Sequence, residues 1–184
     1  MADEKPASPA APAGTTGAPG AATGPSFSLM GQYIRDLSFE NPGAPATNMT
    51  GGANPSFNVS INVSVKKQSD DVYAVELLLN AKAQRETNVL FNVELAYGGV
   101  FRLRNVPENQ LAPLLMVECP RLIFPFARQV LANTVQQGGF PPLMMEPVDF
   151  QQLYIQNLQR LQAAQKAGES APAAPRADDG GKPN

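Results

Sequence analysis

A chain of 184 residues is long enough for one domain with a modest core. Lys and Arg total 14 against 16 Asp and Glu, for a net charge of −2, with no histidine and a single cysteine. This excludes an intramolecular disulfide, a zinc site built from several Cys and His, and histidine acid–base catalysis, and it lacks the basic surplus of a nucleic-acid-binding domain. No stretch approaches about 18 uninterrupted apolar residues, so no direct membrane insertion is expected. The N-terminus has no apolar run of signal-peptide type, and an unpaired cysteine agrees with a reducing compartment, so a cytoplasmic protein is expected.

Residues 1–26 are mostly Ala, Pro, Gly, Ser and Thr and are predicted to form a disordered arm. The folded domain is expected over 27–163, with a disordered tail over 164–184. MGQYIRDLSFENPGAP opens the domain. Leu37 and Phe39 alternate with Asp36, Ser38 and Glu40, a half-buried strand ending at Asn41–Pro42. After a glycine-bearing loop, SFNVSINVSVK places Phe57, Val59, Ile61, Val63 and Val65 on one face, opposite Ser and Asn. KQSDD is a hairpin connection, and VYAVELLLNAK runs back. TNVLFNVELAYGG follows, with a bend expected at Gly98–Gly99 and VFRLRNV continuing beyond it. Helical spacing then occupies 108–137, interrupted near Pro120, and 148–167, where Asp149 lies near the helix start. The predicted fold class is α+β: a four-stranded antiparallel sheet with C-terminal helices packed on one face.

In CPRLIFPFARQVLANTVQQGG a turn at Cys119–Pro120 and a helix start near Ile123 would put Pro125 in a first turn, where no amide hydrogen is needed. That helix carries two apolar stripes, Ile123, Phe126 and Val130 beside Phe124, Ala127, Leu131 and Val135. One stripe can cover the sheet. The other is left for a partner subunit or for Leu153 and Leu158 of the same chain. Cys119 has no histidine to activate it and reads as a small buried apolar side chain. The segment GGFPPLMMEPVDF joins the helices. Its Phe140, Leu143, Met144 and Met145 either pack on the chain's own core or serve as an adaptable binding surface. None of the paired glycines has the spacing of a phosphate loop, and Asp70–Asp71 reads as a solvated hairpin tip. Asp36 and Glu40 share a strand face, and Glu94 stands on the polar side of another strand. No cofactor and no catalytic residue is expected.

Several segments together resemble the SecB family of bacterial protein-export chaperones: IRDLSFENPGAP, DDVYAVELLL, ELAYGGVFRL, ECPRLIFPFARQVLANTVQQGGFPPL and EPVDFQQLY, covering nearly all of 33–161. The resemblance implies an ATP-independent chaperone that holds unfolded secretory precursors and passes them to the translocation motor SecA. It also implies a homotetramer built as a dimer of dimers, and the helix's apolar stripes put the expected interface at Ile123, Phe126, Val130 and Leu131. It places motor contact on Asp36, Glu40 and Glu94, and client capture at Phe140, Leu143 and Met144. The tail departs from the family pattern: it is rich in Ala and Pro and mixed in charge. The alternatives are a peptide-binding oligomer outside secretion and a structural interaction protein.

Overall fold

Alternating apolar and polar residues build four strands: β1 (Ser26–Glu40), β2 (Ser56–Ser69), β3 (Val72–Arg85) and β4 (Asn88–Arg104). They form one antiparallel sheet in the order β1-β4-β3-β2, so β1 and β2 are its edges. The structure is a computed structural model that describes residues 24–45 and 54–169. Most of the expected arm, the glycine-bearing loop over 46–53 and the tail after 169 lie outside the described residues.

The inner face carries Val75, Leu77, Leu79 and Ala81 of β3 and Phe91, Val93 and Leu95 of β4, all buried. The expected alternation of β2 holds from Phe57 to Lys66, where it pairs regularly with β3, and slips elsewhere. In β1 the register shifts at Met30 and again at Arg35. Each extra residue inverts the period-two pattern. The first half of this strand therefore shows no clean alternation in sequence, although it starts at Ser26. Another shift, where Ala83 pairs with Phe91 but Gln84 with Val89, buries both Leu90 and Phe91.

The bend expected at Gly98–Gly99 is absent, because β4 runs unbroken through both. The pair instead serves close approaches on opposite faces. On the outer face the Tyr33 ring lies directly over Gly98, where a Cβ would overlap it. On the inner face a Cβ on Gly99 would come within 2.8 Å of Phe101 and 3.0 Å of Ile123. The bare backbone lets a helix settle onto the middle of the sheet.

That helix is part of a nearly continuous run: α1 (Glu108–Pro113), a π-turn (Leu114–Glu118) and α2 (Cys119–Gln137). No turn interrupts it at Cys119–Pro120. The wider π-turn ends at Glu118, and Pro120 falls in the first turn of α2, where its missing amide costs least. Pro125 sits inside α2, but it and Arg121 are exposed, so water can take the carbonyl that Pro125 leaves unpaired. α2 buries Ile123, Phe124, Ala127, Leu131 and Val135 against the sheet. The last helix, α3 (Phe150–Glu169), begins where the Asp149 carboxylate accepts from the Gln152 amide at 3.0 Å. This is the N-terminal acidic contact its sequence predicts. Phe150 meets Phe124 edge-on at 5.6 Å and ties α3 to α2.

The close approach at Gly98 is testable. Gly98→Ala should lower stability by about 1–3 kcal/mol, the usual cost of overpacking, seen as a lower urea midpoint. In a Tyr33→Ala background the same change should cost much less. Strictly additive losses would refute the contact.

Candidate functional site

The linker over residues 138–149 leaves the end of α2 and crosses the β2 side of the inner face. Together with that side it encloses an apolar groove of about 690 Å³. Phe57, Val59 and Ile61 of β2 form one wall and Leu90 and Phe91 lie at its base. Phe140, Leu143, Met144 and Met145 of the linker form the other wall. Phe140 packs inward, its ring 5.0 Å from Phe91 and 6.5 Å from Phe39. Leu143 is half-buried, whereas Met144 is 75% exposed at the rim. The linker is pinned by Arg128, whose guanidinium donates to the Met145 carbonyl at 3.2 Å. The structure thus brings the three linker residues singled out by sequence together. It adds Phe57, 52% exposed, and Val59, which periodicity had assigned only to a dry strand face. No sequence signal marks that opposing wall, which follows from α2 lying over β3 and β4 rather than over β2.

The four residues of α2 expected at an interface divide between core and surface. Ile123 and Leu131 have no accessible surface and belong to the subunit's own core. Phe126 is half-exposed beside the exposed Leu122, and Val130 is half-buried. Ile34 and Leu37 on the inner side of β1 are likewise open.

The outer face is polar. Ser38 pairs with Glu94, so Asp36 and Glu40 flank Glu94 diagonally from the neighbouring strand. All three are exposed. The structure therefore unites the three carboxylates that sequence placed on separate strands. Glu94 is held by Asn80 and Asn92, whose side-chain amides donate to the same carboxylate oxygen at 2.9 and 3.3 Å. Asp36 and Glu94 line a shallow depression of about 290 Å³ together with Arg35 and Asn80. Next to it lies a group that sequence reasoning missed. Glu76 is nearly buried, and its two oxygens accept from Tyr33 at 3.1 Å and from Arg35 at 3.0 Å. Burial, and then the hydrogen bond to Glu76 and its charge, push the Tyr33 phenol above its usual range. A single Glu among alternating β3 residues carries no mark of this role, because Arg35 reaches it only through the β1 bulge.

Asp70 and Asp71 turn apart at the hairpin tip, toward Lys67 at 3.5 Å and Arg104 at 3.6 Å respectively. Among the described residues no cluster of His, Cys, Asp or Glu could hold a metal ion. Cys119 is completely buried, as expected. Burial, followed by the charge of Glu118, pushes its thiol up to about 12.

Residues 20–161 match the family model described as preprotein translocase subunit SecB. The chain belongs to the SecB family. Among curated relatives, the protein-export protein SecB of Bradyrhizobium sp. strain BTAi1 is 52% identical over 144 residues, 78% of this chain and 89% of that protein. The SecB of Rhodopseudomonas palustris strain HaA2 is 51% identical over 142 residues, 77% of this chain and 90% of that protein. Among solved structures, a SecB-like chaperone of Mycobacterium tuberculosis in complex with a ChAD peptide from the HigA1 antitoxin shares the fold. Its TM-score is 0.53 at 11% identity, covering 66% of this chain and 90% of that one. The chain is thus a SecB-family protein-export chaperone rather than an enzyme. No helix among the described residues is long and apolar enough to cross a membrane.

The buried thiol makes a pH prediction. A thiol held near 12 is protonated throughout the neutral range, so this SecB-family chain should resist iodoacetamide at pH 8 when folded and take up one equivalent in denaturant. Raising the pH through the ordinary value of 9.0 toward 12 should progressively destabilise the fold, because the unfolded state loses this proton first. Rapid labelling of the folded chain at pH 8, followed by mass spectrometry, would contradict the burial.

Proposed function

We propose that this chain is an ATP-independent cytoplasmic chaperone that holds unfolded secretory precursors and delivers them to SecA. The observation that carries this reading is the open apolar groove between β2 and the linker. A folded client offers few contiguous apolar segments, whereas an unfolded one offers many. Removing about 200 Å² of client apolar surface from water contributes roughly 5 kcal/mol before the cost of ordering the bound segment. The wall formed by β2 is also a sheet edge, so an extended client has backbone groups to pair with, independent of its sequence. Preferential binding of the unfolded form opposes client folding by mass action, without nucleotide.

A homotetramer, arranged as a dimer of dimers, fits the open apolar surface of Leu122, Phe126, Ile34 and Leu37, which a lone subunit would leave in water. Several grooves on one assembly would then hold one long chain at high effective concentration. Asp36, Glu40 and Glu94 form the docking face for SecA. Their position on the opposite side of the sheet leaves the groove free during docking.

Two sets of substitutions separate the surfaces. Phe57→Ser with Met144→Ser should weaken capture of an unfolded precursor about tenfold or more, judged from about 1–2 kcal/mol for each exposed apolar side chain. Circular dichroism and SecA affinity should hardly change. Equal loss of both affinities would show that these side chains support the fold instead.

Asp36→Asn, Glu40→Gln and Glu94→Gln together should weaken SecA binding and flatten its salt dependence, because opposite-charge steering is removed. Capture of precursor should persist. Anisotropy titrations at two salt concentrations measure both, and wild-type SecA affinity with an unchanged salt slope would sink the docking assignment.

A further inference from the structure

The acidic face is not purely acidic. Arg35 lines the same depression as Asp36 and Glu94. It adjoins Asp36 in sequence and emerges at a bulge, where β1 slips register between Ile34 and Asp36. An arginine so placed is within a side chain's reach of both carboxylates, and a bidentate pairing would cancel the charge a basic partner needs.

The observed geometry draws Arg35 the other way. Its Nε donates to Glu76 at 3.0 Å, and the Glu76 side chain is only 8% exposed. The other carboxylate oxygen accepts from Tyr33, whose ring crosses β4 over Gly98. Glu76 pairs with Gly98 in the sheet, four residues along β4 from Glu94, or about 13 Å at strand rise. Both oxygens of Glu76 on β3 are therefore engaged by β1 across the intervening β4, and Arg35 makes its ion pair with Glu76.

We propose that Glu76 is a positioning residue for the acidic docking face, holding Arg35 so that the charges of Asp36 and Glu94 are not neutralised and stay available to a basic partner surface. This rests on the docking reading above and adds to it a residue that touches no partner. It accounts for three otherwise separate features: the bulge that exposes Arg35, the bare backbone at Gly98, and the nearly buried carboxylate. Leaving that carboxylate unpaired would be costly, which keeps Arg35 in place.

The test uses the full chain and purified SecA in anisotropy titrations at low and moderate salt, with thermal melts as a fold check. Glu76→Gln keeps an acceptor for Tyr33 but removes the charge that holds Arg35. It should weaken SecA binding about five- to tenfold at low salt and reduce the salt slope, with precursor capture unchanged. Adding Arg35→Gln to Glu76→Gln removes the released cation and should restore wild-type affinity to within about twofold. Weak binding that persists in the double variant means that Glu76 acts only through the fold, and overturns the proposal. So does wild-type binding by Glu76→Gln when the triple carboxamide variant has lost affinity. Wild-type binding by the triple variant instead removes the docking face itself, and this role of Glu76 with it.

Discussion

One helix cannot cover a four-stranded sheet, and most of this molecule's surface chemistry follows from that. With strands about 4.8 Å apart and a helix about 10 Å across, α2 spans roughly two strands. It lies over the central pair β4 and β3, where Ile123, Ala127, Leu131 and Val135 are fully buried and Gly99 lets the helix approach. The apolar inner sides of both edge strands are left over. On the β2 side the linker roofs the surplus incompletely and makes a groove. On the β1 side the described residues leave Ile34 and Leu37 open, and the exposed Phe126 and Leu122 of α2 add to the open apolar surface. An apolar binding groove and an apolar assembly surface are two ends of the same uncovered face.

The polar outer face obeys a different constraint. Among the described residues no helix packs there, so its chemistry is set by cross-strand pairs. Glu94 faces Ser38 and Asn80, and the diagonal neighbours Asp36 and Glu40 complete a carboxylate cluster. The face stays ordered through fixed hydrogen bonds to Glu94 and through the Tyr33–Glu76–Arg35 group, which links β1 to β3 without touching the core.

Much of this was legible in the residues. The alternation of β2, that of β3 apart from Leu78, the helical spacing after 108 and the N-terminal acid of α3 each announce themselves through a period or a cap. The parts that were not legible share a cause: they depend on slips of period or on partners distant in sequence. Bulges at Met30 and Arg35 scramble the alternation of β1, so its first ten residues do not read as a strand. The π-turn that leads into α2 has no composition of its own. Helical spacing groups Ile123 with Phe126, yet the position of α2 on the sheet buries the first and exposes the second. The three linker residues were visible as a hydrophobic cluster, but their opposing wall on β2 emerges only once the limited reach of α2 is known. Glu76 was invisible because its meaning lies in Tyr33 and Arg35, some forty positions earlier.

The paired glycines also tie distant positions together through descent. A side chain at 98 can be accepted only in a lineage where residue 33 has first become small, and one at 99 only after residues 101 and 123 have yielded room. Because 98 and 99 adjoin, a local shift of β4 that eased one face would press against the other. The dipeptide therefore couples the mutational histories of two surfaces that share no side-chain contact, and drift in one constrains which changes the other can tolerate.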